Sequence, residues 1–331
     1  MSTIYNILNV LIVGCGNIAG RFDMSRPSTD WPLTHAGAYH RDHRFQVIAC
    51  VDPHEEVRSQ FMKFWSIPVG FQAIDEISHK NHQFDVISIC SPTHCHAHDL
   101  EIAISLSPQL IFCEKPTTAS GIETEKLVRQ CKKSDIHLAV NYTRRWDQDI
   151  RKLQTNIQNN QWGNLRAVVG YYNKGLLNNG SHLIDLLNFL LGKINIIKVG
   201  KPIYDFFDYD PTVPMWLETE DGCPIHLVAG HAQDYALFEI QFIFAKGVLV
   251  MEDGGIFWRS RQVIESEIFK GYRILTDSIK NTGHYPHAML QAIDNIYRAI
   301  TQNEYLYSTG DTALMTQFFC ERIIQESISI V

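Results

Sequence analysis

The stretch Val10-Leu11-Ile12-Val13-Gly14-Cys15-Gly16-Asn17-Ile18-Ala19-Gly20 decides the fold of the first part of this chain. An apolar, β-branched run is broken by the pattern G-x-G-x-x-A, which is typical of a strand that turns into a helix under a dinucleotide pyrophosphate. Gly14 permits the tight turn, and Gly16 allows the backbone to approach the phosphates. Small Ala19 allows the helix to pack closely on the strand. Such patterns also recur by chance, so the interpretation depends on the motifs further along the chain.

Composition limits the classes of protein that this chain can represent. Its 331 residues are enough for two domains, and 45% hydrophobic with 20% charged residues is ordinary for a globular protein. A net charge of −7 argues against a nucleic-acid partner, and no run of about eighteen apolar residues predicts a membrane span. The eight cysteines lack C-x-x-C spacing, so we expect free thiols in the reducing cytoplasm.

Short apolar runs alternate with amphipathic stretches over the first 140 residues. The predicted strands are Val10–Val13, Phe45–Val51, Phe84–Cys90, Gln109–Cys113 and His137–Val140. The predicted helices between them include Glu55–Trp65, His96–Leu106 and Glu123–Lys133. Buried β-branched strands separated by helices indicate an α/β fold, a Rossmann-type, doubly wound parallel sheet.

The pattern changes after about residue 145. A helix over Asp147–Asn160 precedes strand-like runs at Leu165–Tyr172, Ile194–Val199, His226–Ala229, Tyr235–Phe244 and Gly247–Met251, with one helix, Ser181–Leu191, among them. We therefore predict a dinucleotide-binding domain over residues 1–143. An α+β domain with an open, mainly antiparallel sheet is predicted over 144–331, for substrate binding and oligomerisation. Closing helices near His287–Ile300 and Thr312–Ile328 belong to it or pack back on the first domain.

Asp52 ends the second predicted strand. A carboxylate there can accept hydrogen bonds from the adenosine ribose and would repel a 2′-phosphate, which favours NAD over NADP. The alternative is that Asp52 caps the next helix, with Pro53 at its first position. Its distance from the glycines exceeds the usual spacing of about twenty residues. The excess fits an insertion over Arg21–Leu33, after which the helix resumes near His35.

The histidine-rich segment Ser91-Pro92-Thr93-His94-Cys95-His96 follows the strand that ends at Cys90. Ligands bind at the carboxyl ends of parallel strands, so this segment is expected to line a cofactor pocket. A metal site is disfavoured, because His94 and His98 share one helical face while Cys95 and His96 do not. A solvated helix start is the remaining alternative.

The tripeptide Glu114-Lys115-Pro116 follows the next strand, at the same ligand edge. A lysine there can stabilise negative charge on a substrate oxygen during hydride transfer. Most lysines are ordinary surface residues, and the tripeptide alone does not exclude that role.

The segment Asn178-Asn179-Gly180-Ser181-His182-Leu183-Ile184-Asp185 opens an apolar helix of the second domain. Asn178, His182 and Asp185 can approach one helical face. A histidine is a natural acceptor for a hydroxyl proton near neutral pH. The alternative is a capped helix start against which His182 packs passively.

Taken in order, these motifs resemble the Gfo/Idh/MocA family of oxidoreductases over nearly the whole chain. The resemblance is carried by Gly14-x-Gly16-x-x-Ala19, Asp52, Pro92-Thr93-x-x-His96, Glu114-Lys115-Pro116, Tyr142-x-Arg144-Arg145-Trp146-Asp147, Gly180-Ser181-His182-x-x-Asp185 and Gly310-Asp311-x-Ala313.

This resemblance implies a nicotinamide cofactor, a sugar, cyclitol or sugar-nucleotide substrate, and a homodimer or homotetramer formed through the second domain's sheet. It makes Lys115 the catalytic lysine and His182 the acid/base residue. The implied cofactor residues are Gly14, Cys15, Gly16, Asn17, Ile18, Ala19, Asp52, Ser91, Pro92, Thr93, His96, Glu114 and Lys115. The implied substrate residues are Lys115, Arg144, Arg145, Asn178, His182 and Asp185; no metal is expected.

Three features depart from the family pattern. Asn178 stands where many members carry an aspartate; it cannot take a proton, so the sequence resembles the branch acting on nucleotide-linked sugars. Thr93 replaces a frequent asparagine, and the Arg21–Leu33 insertion, which lacks a counterpart, could cover the cofactor or the substrate entrance. Arg144 and Arg145 could pair with a substrate phosphate or carboxylate, or form a domain or subunit salt bridge.

The sequence therefore predicts a cytoplasmic, NAD-dependent dehydrogenase that interconverts a secondary hydroxyl and a ketone of a sugar derivative. His182 would take the hydroxyl proton while Lys115 stabilises the oxygen. Two alternatives keep the same fold: a nucleotide-sensing regulator without catalysis, and an NAD-dependent, redox-assisted glycosidase. A metal-dependent hydrolase is the weakest of the classes considered.

Overall fold

The computed structural model describes residues 6–78 and 83–330. Its packing divides the chain into two compact units, Met1–Trp146 with Pro286–Met315, and Asp147–Tyr285 with Thr316–Val331. The first cut falls three residues after the predicted boundary between residues 143 and 144. The predicted domain limits, 1–143 and 144–331, stay a prediction.

A six-stranded parallel sheet forms the centre of the first unit. Its strands are β1 (Leu8–Val13), β2 (Phe45–Val51), β3 (Val69–Phe71), β4 (Val86–Ile89), β5 (Leu110–Cys113) and β6 (His137–Val140). They lie in the order β3-β2-β1-β4-β5-β6. The strand order therefore reverses between β1 and β4, which is where doubly wound folds bind ligands. The predicted parallel sheet is confirmed.

Among the described residues of this unit, five helices lie between the strands. They are α1 (Phe22–Met24), α2 (His35–Arg41), α3 (Glu55–Trp65), α4 (Thr93–Ser105) and α5 (Gly121–Lys133). A π-helical turn, Asn17–Arg21, precedes α1, and a 3-10 turn covers Ile74–Glu76. Thr34 caps α2 through the Gly37 amide, and Ser120 caps α5 through the Glu123 amide. These side chains satisfy amides that helix starts leave without an internal partner.

A mixed, mainly antiparallel sheet forms the second unit. Its strands are β7 (Leu165–Tyr172), β8 (Ile194–Val199), β11 (Met215–Thr219), β12 (Pro224–Ala229), β13 (Phe238–Phe244), β14 (Gly247–Glu252), β15 (Phe257–Glu265), β16 (Arg273–Leu275) and β17 (Ile279–Thr282), while β9 (Ile203–Phe207) and β10 (Asp210–Thr212) form a separate ribbon. The order is β16-β15-β14-β13-β7-β12-β11-β8, with β17 paired to β15. Among the described strand pairs of this second unit, β7 with β12 is parallel and the rest are antiparallel. The predicted sheet type is confirmed.

Helices α6 (Gln148–Gln158) and α7 (Ser181–Leu191) supply the core of the second unit. Inward residues of the sheet, such as Val168, Ile240 and Phe242, share one buried cluster with Leu183 and Leu187 of α7. Burial alternates strictly along β13, as expected for a strand with a single covered face. The packed face of β13 therefore lies towards this cluster.

Two helices close the chain, α8 (Ala288–Gln302) and α9 (Gly310–Ile328). Their limits agree with the predicted helices to within two residues. Within the described residues, every helix is too short or too polar to cross a bilayer. All eight cysteines carry free thiols.

Candidate functional site

The glycine turn after β1 has the geometry that its sequence predicts. Gly14 has φ of +87°, and a Cβ there would lie 2.7 Å from the Ser91 amide nitrogen and 2.8 Å from the Cys90 carbonyl carbon. Only glycine satisfies both the left-handed backbone and this close approach. A Cβ on Gly16, in contrast, would meet no protein atom within 4 Å. The surface at Gly16 is therefore open to a ligand.

A cleft of about 790 Å³ lies at this turn. Its walls come from the glycine turn, the end of β2, the Gln72–Asp75 segment and the start of α4. Lining residues include Gly14, Gly16, Asn17, Ile18, Asp52, Pro53, His54, Ser91, Pro92, His94, Cys95 and His98. The remaining predicted cofactor residues, Cys15, Ala19, Thr93, His96, Glu114 and Lys115, lie outside this lining set. Cys15 and Ala19 are fully buried behind the turn.

Asp52 connects the glycine turn to the end of β2. Its Oδ2 accepts from the Cys15 amide at 3.0 Å, and its Oδ1 accepts from the His54 amide at 2.9 Å. The carboxylate is 8% exposed and lines the cleft. A carboxylate has about four lone-pair sites, so two remain for ligand hydroxyls. The alternative in which Asp52 caps the next helix with Pro53 at its first position is wrong, because α3 begins at Glu55 and His54 occupies its N-cap. The cofactor role of Asp52 stays a prediction.

The buried His96 imidazole holds the loop after β4 through hydrogen bonds to backbone carbonyl oxygens. Its Nε2 lies 2.8 Å from the Ser91 carbonyl oxygen, and its Nδ1 lies 2.9 Å from the Pro116 carbonyl oxygen. His96 therefore bridges the loop after β4 and the loop after β5. His98 lies on the cleft rim, where its hydrogen bond to Asp75 at 2.9 Å raises the pKa of His98.

A buried hydrogen-bond chain supports the loop after β5. His35 Nε2 donates to Glu114 Oε1 at 3.0 Å, and Asn141 Nδ2 donates to the same oxygen at 2.7 Å. On the other side of the ring, Nδ1 lies 3.3 Å from Ser88 Oγ, which is 2.9 Å from the Tyr39 hydroxyl. In a neutral ring this arrangement places the proton on Nε2. The chain joins α2, β4 and the ends of β5 and β6.

The environment of Glu114 favours its ionised form. Burial by itself raises the pKa of Glu114, but the hydrogen bonds from His35 and Asn141 and the positive charge of Lys115 outweigh it. The pKa of Glu114 therefore lies below its ordinary value. Glu114 Oε2 also accepts from the Lys115 amide at 3.3 Å. The carboxylate thus holds the backbone of the predicted catalytic lysine, which precedes a cis bond to Pro116.

Arg144 and Arg145 lie in a 3-10 turn, Thr143–Arg145, just after β6. Both are buried, and Arg145 Nη1 donates to the Tyr307 carbonyl oxygen at 3.2 Å. A neighbouring indole, Trp146, donates to Asn141 Oδ1 at 3.2 Å. The segment is therefore packed into the first unit. The two roles predicted for the arginines stay predictions.

The second unit presents Asn178 and His182 at the start of α7. A π-helical turn, Gly175–Gly180, precedes the helix, and Asn178 Nδ2 donates to the Lys174 carbonyl oxygen at 3.1 Å. Asn178 and His182 are half-buried, whereas Asp185 is buried and accepts from Thr316 Oγ1 at 3.3 Å. Asp185 therefore faces α9 within this unit, and Asn178 and His182 are the more exposed of the three.

Asp210 fixes the turn that carries Asn178. Its carboxylate, which is 1% exposed, accepts from the Leu177 amide at 2.7 Å and from the Asn178 amide at 2.8 Å. Thr212 Oγ1 accepts from the Gly175 amide at 2.9 Å. The β9–β10 ribbon therefore holds the helix start through buried acceptors.

Sequence reasoning missed His35, Asn141 and Asp210 as supporting residues. Asn141 directly follows a predicted strand, so its place at the ligand edge could have been inferred. His35 and Asp210 carry no local pattern, because their partners lie 79 and 32–33 residues away in the chain.

Comparison with known proteins gives a family match for the first part of the chain. Residues 8–142 match the family model GFO_IDH_MocA, described as an oxidoreductase family with an NAD-binding Rossmann fold. The matched segment covers the parallel-sheet part of the chain and less than half of its length. Over these residues the match agrees with the predicted resemblance to an NAD-binding oxidoreductase family.

Individual relatives match over different lengths. Myo-inositol 2-dehydrogenase from Thermotoga maritima is 30% identical over 79 residues, which cover 24% of this chain and 23% of that protein. Levoglucosan dehydrogenase in complex with NADH has a TM-score of 0.79 at 14% identity, covering 97% of each chain. An Agrobacterium radiobacter oxidoreductase in complex with NAD+, L-tartaric acid and magnesium has a TM-score of 0.77 at 14% identity, covering 97% of this chain and 96% of that chain. Both structural likenesses concern the fold.

Proposed function

We propose that this protein is an NAD-dependent dehydrogenase that oxidises a secondary hydroxyl of a sugar derivative to a ketone, or reduces the ketone. The observation that carries the proposal is Lys115 at the carboxyl end of β5, with its backbone amide bonded to the partly buried, ionised Glu114. A positioned ammonium at the ligand edge of an NAD-binding sheet can stabilise charge on a reacting oxygen.

The first unit fits a dinucleotide. The Gly16 surface is open, the cleft volume falls in the range of ligand sites, and Asp52 retains acceptor capacity for ribose hydroxyls. Its negative charge disfavours the 2′-phosphate of NADP. When bound, NAD supplies a nicotinamide ring that exchanges a hydride with the substrate carbon.

The reaction also requires a group that removes the hydroxyl proton. We assign this role to His182, because Asn178, four residues earlier, has an amide that cannot accept a proton. A histidine can hold this proton near neutral pH. The Lys115 ammonium would stabilise the developing alkoxide. The same two groups serve ketone reduction in the opposite direction.

The substrate class rests on the family and on its relatives. The Thermotoga maritima relative is named for myo-inositol, a cyclic polyol. We extend this to sugars, including nucleotide-linked sugars. Arg144 or Arg145 would bind a phosphate or carboxylate, and Asp185 lies on the helix that carries His182. We also propose a cytoplasmic homodimer or homotetramer.

The test begins with identification of a ligand. A thermal-shift screen with NAD, NADP, free sugars, inositols and UDP-, GDP- or dTDP-sugars identifies compounds that stabilise the native state. With the best substrate, Lys115→Ala should reduce kcat by about 100-fold or more, because a preorganised charge is lost. NAD binding should change less than about twofold. Wild-type turnover by the Lys115→Ala protein would reject the lysine assignment.

The histidine assignment has its own readout. His182→Asn should lower the rate by about 100- to 10,000-fold and remove the rise in rate with pH that a histidine base produces. Retention of the wild-type pH profile would reject His182 as the base. NAD binding without NADH formation on any hit would favour the regulator, and glycosidic cleavage without net NADH would favour the glycosidase.

A further inference from the structure

The Arg21–Leu33 insertion forms a loop whose two ends are joined by hydrogen bonds to one carboxylate, that of Asp23. Asp23 Oδ2 accepts from the Leu33 and Thr34 amides at 3.0 Å each, and from Thr34 Oγ1 at 2.6 Å. A Cβ on Gly37 would collide with this carboxylate, so a glycine is needed where Asp23 reaches α2. The two ends of the insertion are therefore fixed to each other and to the start of α2.

The outer part of the insertion is anchored separately. The Arg41 guanidinium donates to the Ser28 and Asp30 carbonyl oxygens. At the far end of the loop, the Trp31 ring lies 3.9 Å from the His287 ring, centroid to centroid. Charged, polar and aromatic contacts thus hold the loop along its length. A loop held in this way can position a neighbouring side chain for a function.

Phe22 is the side chain that this loop positions at the dinucleotide cleft. It lies directly before Asp23 and lines the cleft beside Gly16, Asn17 and Ile18. Its side chain is 51% exposed, so it contributes little to the core. The other cavity-lining residues of the insertion, such as Asp23 and Arg26, face a separate cavity of about 210 Å³. Among the described residues of the insertion, Phe22 alone is in the cleft wall.

We propose that Phe22 is a cofactor-contacting residue, held against the bound dinucleotide by the insertion and its Asp23 hydrogen bonds. The aromatic ring supplies a rigid apolar surface next to the turn that receives the pyrophosphate, where ribose carbons and the rings of a dinucleotide can pack. The inference rests on NAD binding in this cleft. It is independent of the reaction and substrate proposed above.

Direct titration of NADH with the full-length protein, followed by NADH fluorescence, tests the contact. Phe22→Ala should weaken NADH binding by about 5- to 20-fold, since an aromatic contact with the ligand is lost. Phe22→Leu should keep affinity within about threefold of wild type, because most apolar surface remains. Ile122→Ala, at an exposed apolar position of α5 outside the cleft wall, should change affinity by less than about twofold. Without ligand, Phe22→Ala and wild type should unfold at the same temperature.

Equal NADH affinity of Phe22→Ala and wild type would overturn the inference. If Phe22→Ala proves unstable, the NADH affinities of Phe22→Ser and Phe22→Leu decide the question. A contact role predicts that Phe22→Ser binds NADH more weakly than wild type and that Phe22→Leu does not. Failure of the wild type to bind NADH would reject the dinucleotide site itself. Failure to turn over any sugar would reject the proposed reaction and leave the Phe22 titration valid.

Discussion

At the residue scale, Glu114 is the clearest case of a side chain whose environment determines its chemistry. An ionised carboxylate that is buried without partners is very unfavourable. Here His35 on α2 and Asn141 after β6 donate hydrogen bonds to one of its oxygens, and the Lys115 amide donates to the other. The carboxylate is therefore stabilised in its ionised form and also positions the lysine next to it.

This environment of Glu114 determines how the free energy of unfolding changes as the pH falls. Because the pKa of Glu114 is lowered in the folded protein, its stabilising effect is complete above its ordinary pKa and is lost as the pH falls through the lowered value. Glu114→Gln should therefore reduce the free energy of unfolding by about 1–2 kcal/mol at pH 7. The difference from wild type should close in acid, measured by urea unfolding between pH 7 and pH 3.

A matched control distinguishes the effect of Glu114→Gln from the general effect of replacing a glutamate with glutamine. Glu125 pairs with Arg129 on the exposed face of α5. Glu125→Gln should change the free energy of unfolding by less than about 0.5 kcal/mol, because exposed pairs contribute little. A difference for Glu114→Gln that stays constant down to pH 3 would contradict the assigned ionisation.

At the element scale, the start of α7 depends on another element, the β9–β10 ribbon. The turn Gly175–Gly180 has amides that its own helix does not satisfy, and Asp210 accepts from two of them. Gly175 has φ of +82° and packs directly against this carboxylate. The conformation that presents Asn178 and His182 is thus set from outside the helix.

Asp210→Ala should disturb this presentation. Loss of two buried acceptor contacts should lower the free energy of unfolding by about 2–3 kcal/mol. Turnover should fall about tenfold or more through misplacement of His182, with NADH affinity unchanged. Asp208→Ala, at an exposed position of the same ribbon, is the control and should match wild type. Unchanged turnover in a folded Asp210→Ala protein would show that the turn does not need this anchor.

At the scale of the whole molecule, the second unit's sheet has a face that α6 and α7 leave uncovered. On this face Trp216 of β11 is 45% exposed and stacks on His226 of β12, with ring centroids 4.9 Å apart. Val228 and Ile197 are exposed on the neighbouring strands. Neighbouring apolar side chains on an open sheet are typical of a subunit interface.

We therefore expect the protein to form a homodimer or homotetramer at micromolar concentrations. Light scattering after size-exclusion chromatography should give twice or four times the chain mass, and Trp216→Glu should shift the mass downwards. Tyr305→Glu, at a highly exposed position of the first unit, serves as the control and should leave the mass unchanged. A monomeric wild-type protein would contradict the expectation.

The sequence was most informative where periodicity and turn chemistry act locally. Phe45–Val51, Glu55–Trp65 and Ser181–Leu191 were predicted to the residue. The ribbon of β9 and β10 and the strands from β15 to β17 were missed. β10 and β16 are only three residues long, and β15 and β17 carry exposed or charged residues that hide the strand pattern. The insertion was located from an excess spacing, but its contacts with the cleft were beyond any local pattern.

The sequence alone determined the parallel sheet, the glycine turn and the residue types available for NAD and for hydride transfer, since each depends on neighbours a few positions apart. Only the tertiary structure decided which of these groups are supported and how. The His35–Glu114 contact, the Asp210 anchor and the place of Phe22 in the cleft wall each depend on packing. Burial and partners far apart in the chain set these features, and a linear pattern does not contain them.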